Sequence, residues 1–425
     1  MQVDGYKPRI VDGTFTTMLG SAGAVSIVGP KWCGKTTTAL VHAKSAFMVS
    51  DPSGGFANRG VARLDPQLAL AGDQPRLIDE WQEVPGLWDA VRFACDRTRA
   101  YGQFILTGSA SPARTAHSGT GRIISFAMTT MSLWETGESS GEMSLGSMLA
   151  GEDLSATSSA GLLDIASFIV RGGWPESVEL PPADPTLLPR SYIDQTVTDD
   201  IRRTEPTAHD PMLARRIIAS LARNESTMAR KVTIARDATA AEEDGDDGQD
   251  DTRFLTPYLS ALEKLYLLAD QPAWFPALRS PVRIRVAPKR HLCDPSLAAA
   301  ALGATKESLL SDMKTLGNLF EALCVHDLRV YAQALGATIF HYHDNSGLEA
   351  DAIVELPNQD WAAFEIKLGH DQVDKAATSL MRLSAKMERG GQRPPCCLGV
   401  ICGISPYGYR RPDGVYVIPI TTLGV

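Results

Sequence analysis

The run from Gly29 to Thr36 reads GPKWCGKT and fits the phosphate-binding pattern G-x-x-x-x-G-K-[ST] at every required position. The apolar, β-rich stretch Ala24–Val28 precedes it, and the helix-compatible stretch Thr37–Met48 follows. Backbone N–H groups of such a loop surround a phosphate, and the positive end of the next helix adds to the attraction. A chance glycine-rich turn is disfavoured by this strand–loop–helix context. The sequence therefore predicts a site for a nucleoside triphosphate formed by Gly29, Pro30, Lys31, Trp32, Cys33, Gly34, Lys35, Thr36 and Thr37.

Hydrolysis requires a second, acidic site at the end of a neighbouring strand. The run RLIDEWQ supplies Asp79 and Glu80 after a short apolar stretch. We expect Lys35 to contact the β- and γ-phosphates, Thr36 and Asp79 to hold Mg²⁺, and Glu80 to polarise the attacking water. Because only two apolar residues precede Asp79, an exposed Asp-Glu pair at a strand end is the alternative. The order of the motifs along the chain favours the catalytic interpretation.

A further strand-like run, QFILTGS, ends in the small hydroxyl residues Thr107 and Ser109. Both hydroxyls are candidate site residues because they follow a strand near the P-loop in the chain, and a plain polar turn is the alternative.

Acidic residues and a lysine also recur near the C-terminus. Glu321 falls on a predicted helix, Asp351 on a strand, and Glu365 and Lys367 on one face of the next strand, because side chains alternate along a strand. This pattern resembles the PD-(D/E)xK nuclease core. The resemblance implies that Asp351, Glu365 and Glu321 bind Mg²⁺ and that Lys367 activates water or stabilises the transition state. A solvated Glu/Lys strand face is the alternative.

Several short motifs together resemble the AAA-type P-loop ATPases of bacteria and archaea that carry a C-terminal domain of unknown function. The motifs are GPKWCGKT, LIDEWQ, ILTGS, the Gly121-Arg122-Ile123 and MSLWE runs, GGWPE at 172–176, Tyr192 through Asp199-Asp200-Ile201, and GNLFE at 317–321. The resemblance covers nearly the whole chain. It implies that Arg122 is an arginine for the γ-phosphate, acting within one chain or across subunits of an oligomer, and that Thr107 or Ser109 senses that phosphate.

The predicted fold class is α/β, with three domains. Residues 1–180 are expected to form a parallel P-loop sheet with a Ser/Gly-rich surface insertion at 137–160. Residues 181–291 are expected to be a helical lid or winged-helix unit with an acidic, disordered loop at 238–251. Residues 292–425 are expected to form a restriction-endonuclease-like α/β domain.

The middle unit either reads DNA as a winged helix or serves only as an ATPase lid. In the first case a second helix would lie in the major groove and a basic hairpin at 282–286 would lie near the phosphates. The candidate residues are Arg223, Arg230, Lys231, Arg283 and Arg285. A net charge of −9 argues against a broad basic surface but leaves room for a local one.

Composition limits the remaining choices. No apolar run reaches the length that a bilayer requires, and the seven cysteines form no C-x-x-C pair, so a cytoplasmic location is expected. Two functions remain open. One is an Mg²⁺-dependent ATPase that controls a nuclease-like domain on nucleic acid. The other is a slow nucleotide-dependent switch with an inactive nuclease-like domain that binds a protein partner.

Overall fold

The computed structural model describes residues 5–109, 118–208, 210–239, 252–277 and 279–425. The predicted acidic loop lies outside these ranges except for Ala238 and Thr239, which end a helix. Within the described ranges no helix is both long and apolar enough to cross a lipid bilayer.

The N-terminal part is a parallel sheet, as predicted. In the described residues five strands pair in the order β2-β3-β4-β1-β5. Their bounds are β1 Ala24–Val28, β2 Ser45–Met48, β3 Arg76–Asp79, β4 Phe104–Gly108 and β5 Ile123–Ala127. Every pairing is parallel, so the carboxyl ends of β1, β3 and β4 meet at one edge.

Helices cover both faces of this sheet. They are α1 Val11–Leu19, α2 Lys35–His42, α3 Ser53–Leu64, α4 Pro66–Leu70 and α5 Gly86–Thr98. The helix predicted to continue to Met48 ends at His42. Ala43 adopts an extended conformation, and the chain then pairs as edge strand β2 with β3. All four residues of β2 are half-buried, so the alternating burial that would mark a strand in the sequence is missing.

The Ser/Gly-rich stretch at 137–160 joins distant parts of the chain, so its prediction as a surface insertion was wrong. The segment and its flanks contain α6 Leu133–Thr136, β6 Met143–Ser144, α7 Leu145–Leu149, β7 Ala156–Thr157, α8 Leu162–Arg171 and α9 Pro175–Glu179. Its strands pair with strands near the C-terminus, β6 with 423–424 and β7 with 407–408. Met143, Leu145 and Met148 are fully buried, which explains why this polar segment is anchored.

The middle part is helical. Its helices are α10 Leu187–Gln195, a π-helical turn Thr196–Asp200, α11 Ile201–Thr204, α12 Pro211–Arg223, α13 Lys231–Thr239, α14 Leu255–Lys264, α15 Val282–Arg285, α16 Pro295–Ala301 and α17 Lys306–Ser311.

The basic hairpin predicted at 282–286 is instead the helical turn α15, which starts after Pro281. Antiparallel bridges join Leu268 to Leu292 and Gln271 to Lys289. We call residues 268–273 and 289–292 the central hairpin.

The C-terminal part is a mixed sheet between helices. It contains α18 Met313–Ala334, β8 Thr338–His343, β9 Glu349–Glu355, β10 Trp361–Gly369, α19 Val373–Arg389, β11 Cys397–Ile404, β12 Tyr407–Arg410, β13 Tyr416–Pro419 and β14 Leu423–Gly424. Within the described chain the sheet order is β7-β12-β13-β11-β10-β9-β8. β8, β9 and β10 are antiparallel neighbours, and β11 lies parallel to β10 after the α19 crossover. This order of helix, strands, helix and strand agrees with the α/β architecture expected for residues 292–425.

Hydrophobic burial ties the middle and C-terminal parts together. One core cluster extends along the chain from Leu133 to Leu423, whereas the two faces of the N-terminal sheet have smaller clusters of their own. The glycines of the GGWPE run allow the backbone at 172–173 to approach the backbone at Met131. A Cβ at Gly173 would lie 2.0 Å from the carbonyl oxygen of Met131.

We predict that Gly173→Ala lowers stability by about 3 kcal/mol, because backbone atoms must move to admit the methyl group. Thermal unfolding followed by circular dichroism measures the change. Gly13→Ala is the matched control. A Cβ there meets nothing within 4 Å, and the position is inside α1, so the control should be neutral or slightly stabilising. Equal melting temperatures for the two variants would contradict the prediction.

Candidate nucleotide site and carboxylate–lysine cluster

The P-loop adopts the strand–loop–helix geometry that its sequence predicts. β1 ends at Val28, and α2 begins at Lys35. Gly29 has φ +152°, and a Cβ there would lie 2.1 Å from the carbonyl oxygen of Met128. Gly34 has φ +97° and precedes the first helical residue. Both positions need glycine because a side chain would be strained or would clash.

The Lys35 ammonium lies inside the loop. Its Nζ donates to the carbonyl oxygens of Gly29 at 3.0 Å and Pro30 at 2.6 Å, and the residue is buried. A buried ammonium that bonds only neutral carbonyls has its charge uncompensated by these contacts, which favours an anion beside it.

The Asp79 carboxylate joins the P-loop to two strands. Asp79 Oδ1 accepts hydrogen bonds from the hydroxyls of Thr36 and Thr107, each at 2.7 Å. Thr36 is the second residue of α2, while Asp79 and Thr107 stand at the carboxyl ends of neighbouring strands. The structure thus brings together three of the predicted residues. Thr36 and Asp79 present hard oxygen donors side by side, which suits Mg²⁺.

Glu80 is held beside this group in a left-handed backbone conformation, with φ +55°. Its Oε2 accepts from the Ser109 hydroxyl at 3.2 Å and from the amide of Gln82. Burial raises the pKa of the Glu80 carboxyl, and the Asp79 charge raises it further, although the bonds from Gln82 and Ser109 oppose the change. Gln82 was not predicted, and its only sequence signal is its place in the LIDEWQ run.

Arg122 lies away from these residues. It precedes β5, whose first residue pairs with Ala24 at the start of β1, whereas the P-loop follows the other end of that strand. Four strand residues, about 13 Å, separate the two edges. Arg122 forms an ion pair with Asp96 and does not line the nucleotide cavity. Arg122 therefore lies away from the nucleotide cavity of its own chain, and action across subunits stays a prediction.

Residues from the middle part contact the P-loop. Lys31 Nζ pairs with Asp200 Oδ1 at 2.6 Å, and the Lys31 N–H donates to the Tyr192 hydroxyl at 3.0 Å. The Tyr192 ring also packs edge-on against Trp32. The sequence marked Tyr192 and Asp200 only through the family resemblance, since no spacing relates them to the P-loop.

A cavity of about 800 Å³ opens at this edge of the sheet, within the range of small-molecule sites. Lys35, Thr36, Thr37, Glu80 and Ser109 line one side. Glu176 and Asp200, from two of the family motifs, also line the cavity, together with residues that no motif indicated: Tyr6, Lys7, Arg203 and Thr204.

The C-terminal acids and lysine also come together. Lys367 Nζ lies 2.6 Å from Glu365 Oε2 and 3.2 Å from Asp351 Oδ2, and the latter oxygen accepts the Ile366 N–H at 2.9 Å. β9 and β10 are antiparallel neighbours, which explains how residues fourteen and sixteen positions apart meet.

Lys289 completes this group and was not predicted. Its Nζ lies 2.6 Å from Glu321 Oε1 and 3.1 Å from Asp351 Oδ1. We call Lys289, Glu321, Asp351, Glu365 and Lys367 the carboxylate–lysine cluster.

Burial and the Asp351 charge raise the pKa of Glu321 to about 8 and that of Glu365 to about 7. Burial also acts to raise the pKa of Asp351, but the two lysines hold it below its usual range.

The predicted Mg²⁺ site at Glu321, Asp351 and Glu365 therefore takes another form. In the described ranges no group of three or more His, Cys, Asp or Glu side chains is arranged to hold a metal ion. The Asp351 oxygens are engaged by two ammonium groups and a backbone N–H.

The predicted phosphate-contacting residues differ in their surroundings. Arg283 binds the Glu355 carboxylate through two nitrogens, at 2.6 and 3.0 Å, and is mostly buried, so it is not placed to meet DNA. Arg223 forms an ion pair with Asp237. Arg230, Lys231 and Arg285 are exposed.

Comparison with known proteins divides the chain into three matched segments. Residues 21–137 match a family model described as an AAA domain, residues 162–308 match a domain of unknown function (DUF8612), and residues 316–423 match another (DUF4143).

Two similar proteins are the uncharacterized protein Rv2008c of Mycobacterium tuberculosis and the uncharacterized protein Mb2031c of Mycobacterium bovis. Each is 25% identical over 367 residues, which cover 82% of this chain and 71% of the relative. Among solved structures, the Walker-type ATPase PABY2304 of Pyrococcus abyssi aligns with a TM-score of 0.39 and 10% identity, over 68% of this chain and 94% of that one. The match at 21–137, with the P-loop and the acidic strand end inside it, identifies an AAA-type P-loop ATPase domain in this chain.

Proposed function

We propose that this protein is an Mg²⁺-dependent ATPase whose nucleotide cycle controls a nuclease-like C-terminal unit that acts on or binds nucleic acid. One observation carries the ATPase assignment. Asp79 Oδ1 accepts the hydroxyls of Thr36 and Thr107 at once, so the helix after the P-loop and two strand ends form one polar centre. Binding alone would not need Glu80 next to that centre.

Each residue of this centre has a defined part in the proposal. Lys35 and the N–H groups of the P-loop bind the phosphates, and Thr36 and Asp79 hold Mg²⁺. The bound ion neutralises charge on the β- and γ-phosphates. Glu80 accepts a proton from the attacking water, and Ser109 and Gln82 fix the direction of its carboxylate. Thr107 holds the Glu80 backbone through a 3.3 Å bond from the Glu80 N–H.

Two substitutions separate binding from turnover. We predict that Lys35→Ala abolishes ATP binding, because the P-loop then loses the buried ammonium that lies against the Gly29 and Pro30 carbonyl oxygens. Glu80→Gln should retain binding but lower kcat by about 10²-fold or more, because the amide cannot accept the proton. Phosphate release measures turnover, and a fluorescent ATP analogue measures binding.

Lys44→Ala and Glu152→Gln are matched controls, since both residues are exposed and lie outside the cavity. Binding of ATP with no turnover by the unaltered protein would reject the enzyme and leave the switch. Full turnover by Glu80→Gln would reject Glu80 as the base.

The Lys31–Asp200 pair supports coupling between nucleotide and the middle part. Lys31 belongs to the P-loop, and Asp200 ends the π-helical turn, a type of helix irregularity that often occurs at functional sites. A phosphate in the loop competes with Asp200 for the Lys31 ammonium. Nucleotide binding is therefore proposed to loosen the contact between the π-helical turn and the P-loop.

We predict that Asp200→Asn tightens ATP binding by about threefold, because the Lys31 ammonium no longer has to leave Asp200 in order to contact the phosphates. The effect is small because a partly exposed ion pair contributes less than about 1 kcal/mol. Titration with the fluorescent analogue measures the change, and Trp32 emission reports on the loop. Asp194→Asn, which removes an exposed partner of Arg215, is the control. Weaker binding by Asp200→Asn would show that the pair supports the nucleotide site instead.

The nucleic-acid role rests on the C-terminal architecture and on exposed cations. The order α18, β8, β9, β10, α19 and β11 resembles the predicted nuclease-like core, and Arg230 and Lys231 are exposed at the start of α13. The second candidate is the nucleotide-dependent switch, in which the C-terminal unit binds a protein partner and cuts nothing. The presence of Lys289 among the acids favours a unit that does not cleave.

We predict that single- or double-stranded DNA stimulates ATP turnover in a salt-sensitive manner. The double substitution Arg230→Ala/Lys231→Ala should lower the stimulation and flatten its salt dependence, because two phosphate contacts are lost. Arg393→Ala, which alters an exposed arginine in the loop between α19 and β11, is the control. A rate of ATP turnover that no nucleic acid changes would favour the switch. Light scattering would then measure whether the chain forms oligomers.

A further inference from the structure

The carboxylate–lysine cluster departs from what a metal-dependent nuclease site requires. The resemblance implied a divalent cation between Glu321, Asp351 and Glu365. The structure has a tethered ammonium there, with Lys289 Nζ at hydrogen-bonding distance from Glu321 and Asp351. A second ammonium, that of Lys367, lies between Asp351 and Glu365.

Both oxygens of Asp351 and one oxygen each of Glu321 and Glu365 already have partners within the cluster. Asp351 Oδ1 accepts from Lys289, and Asp351 Oδ2 accepts from Lys367 and from the Ile366 N–H. Glu321 Oε1 lies 2.6 Å from the Lys289 ammonium. The Lys289 and Asp351 side chains are 10% and 7% exposed, so water does little to weaken their interaction.

Lys289 comes from another part of the chain than the acids. It lies in the segment 162–308, whereas the four other members lie in 316–423. The central hairpin fixes it, because Lys289 and Gln271 exchange backbone hydrogen bonds of 2.9 and 3.0 Å. The Gln271 side chain also donates to the carbonyl oxygens of Phe340 and Asp351, at 2.8 and 3.1 Å. The hairpin is therefore attached to the strands that carry the acids.

Charge balance points the same way. Three carboxyl groups face two ammonium groups, so a single protonated carboxyl makes the buried cluster neutral. A divalent cation would have to displace a lysine whose position is set by the hairpin, and a tethered group competes at a high effective concentration.

We propose that Lys289 is a built-in cation that takes the place of a divalent metal ion in the carboxylate–lysine cluster. The middle part thereby closes the nuclease-like site, and the C-terminal unit folds and binds its partner without metal and without metal-dependent cleavage. This inference rests on the proposed nuclease-like character of the C-terminal unit but not on ATP hydrolysis.

The test is a Mn²⁺ titration of the full chain without nucleotide, followed by the electron paramagnetic resonance signal of free Mn²⁺. The unaltered protein and Asp351→Asn should bind Mn²⁺ equally, because the cluster does not bind the ion while Lys289 is present. Lys289→Ala should gain one site, at least tenfold tighter than any weak binding by the unaltered chain. The double substitution Lys289→Ala/Asp351→Asn should lose it again. Lys314→Ala, an exposed lysine on α18, should gain nothing.

Lys289→Gln keeps a polar side chain. It replaces Lys289→Ala in the Mn²⁺ titration if circular dichroism shows that the alanine variant does not fold. A Mn²⁺ site in the unaltered protein that Asp351→Asn abolishes would overturn the proposal, and so would a folded Lys289 variant that gains no site. The comparison of the unaltered chain with Asp351→Asn thus decides whether the cluster binds a metal ion while Lys289 is present. ATP turnover is measured separately with Mg²⁺, so failure of the ATPase assignment leaves the Mn²⁺ result unchanged.

Discussion

The buried carboxylate of Asp294 is the interaction on which the arrangement of the parts depends. One oxygen accepts the Thr130 hydroxyl at 2.6 Å and the Gly173 N–H at 3.0 Å, and the other accepts the N–H and hydroxyl of Ser296. Thr130 follows the last strand of the ATPase sheet and also contacts His326 of α18 at 2.9 Å. A fully buried charge is tolerated only when it is hydrogen-bonded in this way. Asp294 therefore fixes three regions around one point.

The nucleotide site and the carboxylate–lysine cluster differ in how their charged side chains are compensated. At the nucleotide site, Lys35 and Asp79 bond mainly neutral groups and border an open cavity, so their charges stay available to a ligand. In the carboxylate–lysine cluster the charges satisfy one another, and the members are mostly buried. A cluster that is internally paired has little to gain from an added ion, because the ion must first displace a partner.

The middle part touches both sites. Tyr192 and Asp200 contact the P-loop, and Lys289 enters the carboxylate–lysine cluster. A shared hydrophobic core runs from α6 through the middle helices to the C-terminal sheet. The proposed loosening of the Lys31–Asp200 contact would therefore act on a packed core and not on a flexible linker, which supports the proposed coupling between the two sites.

The sequence by itself determined the local units. Gly29, Gly34 and Lys35 specify the P-loop because backbone conformation and charge are both encoded within eight residues. The period-2 alternation of Glu365 and Lys367 placed them on one face, and α18, β9, β10 and α19 followed from their own apolar patterns. The strand β2 was missed because an edge strand is not buried in alternation, and α15 was taken for a strand because four residues carry little periodic signal.

Only the tertiary structure decided which distant residues meet. Asp200 at the P-loop, Lys289 among the acids and β6 beside β14 depend on pairings across 169, 62 and about 280 residues, respectively, and no spacing within the chain encodes them. The position of Arg122 also depends on strand pairing. Arg122 follows the other motifs along the chain, but the parallel pairing of β1 with β5 puts the start of β5 at the sheet edge opposite the nucleotide cavity. Local sequence fixes what a residue can do chemically, and the packing of the whole chain fixes the partner with which it does it.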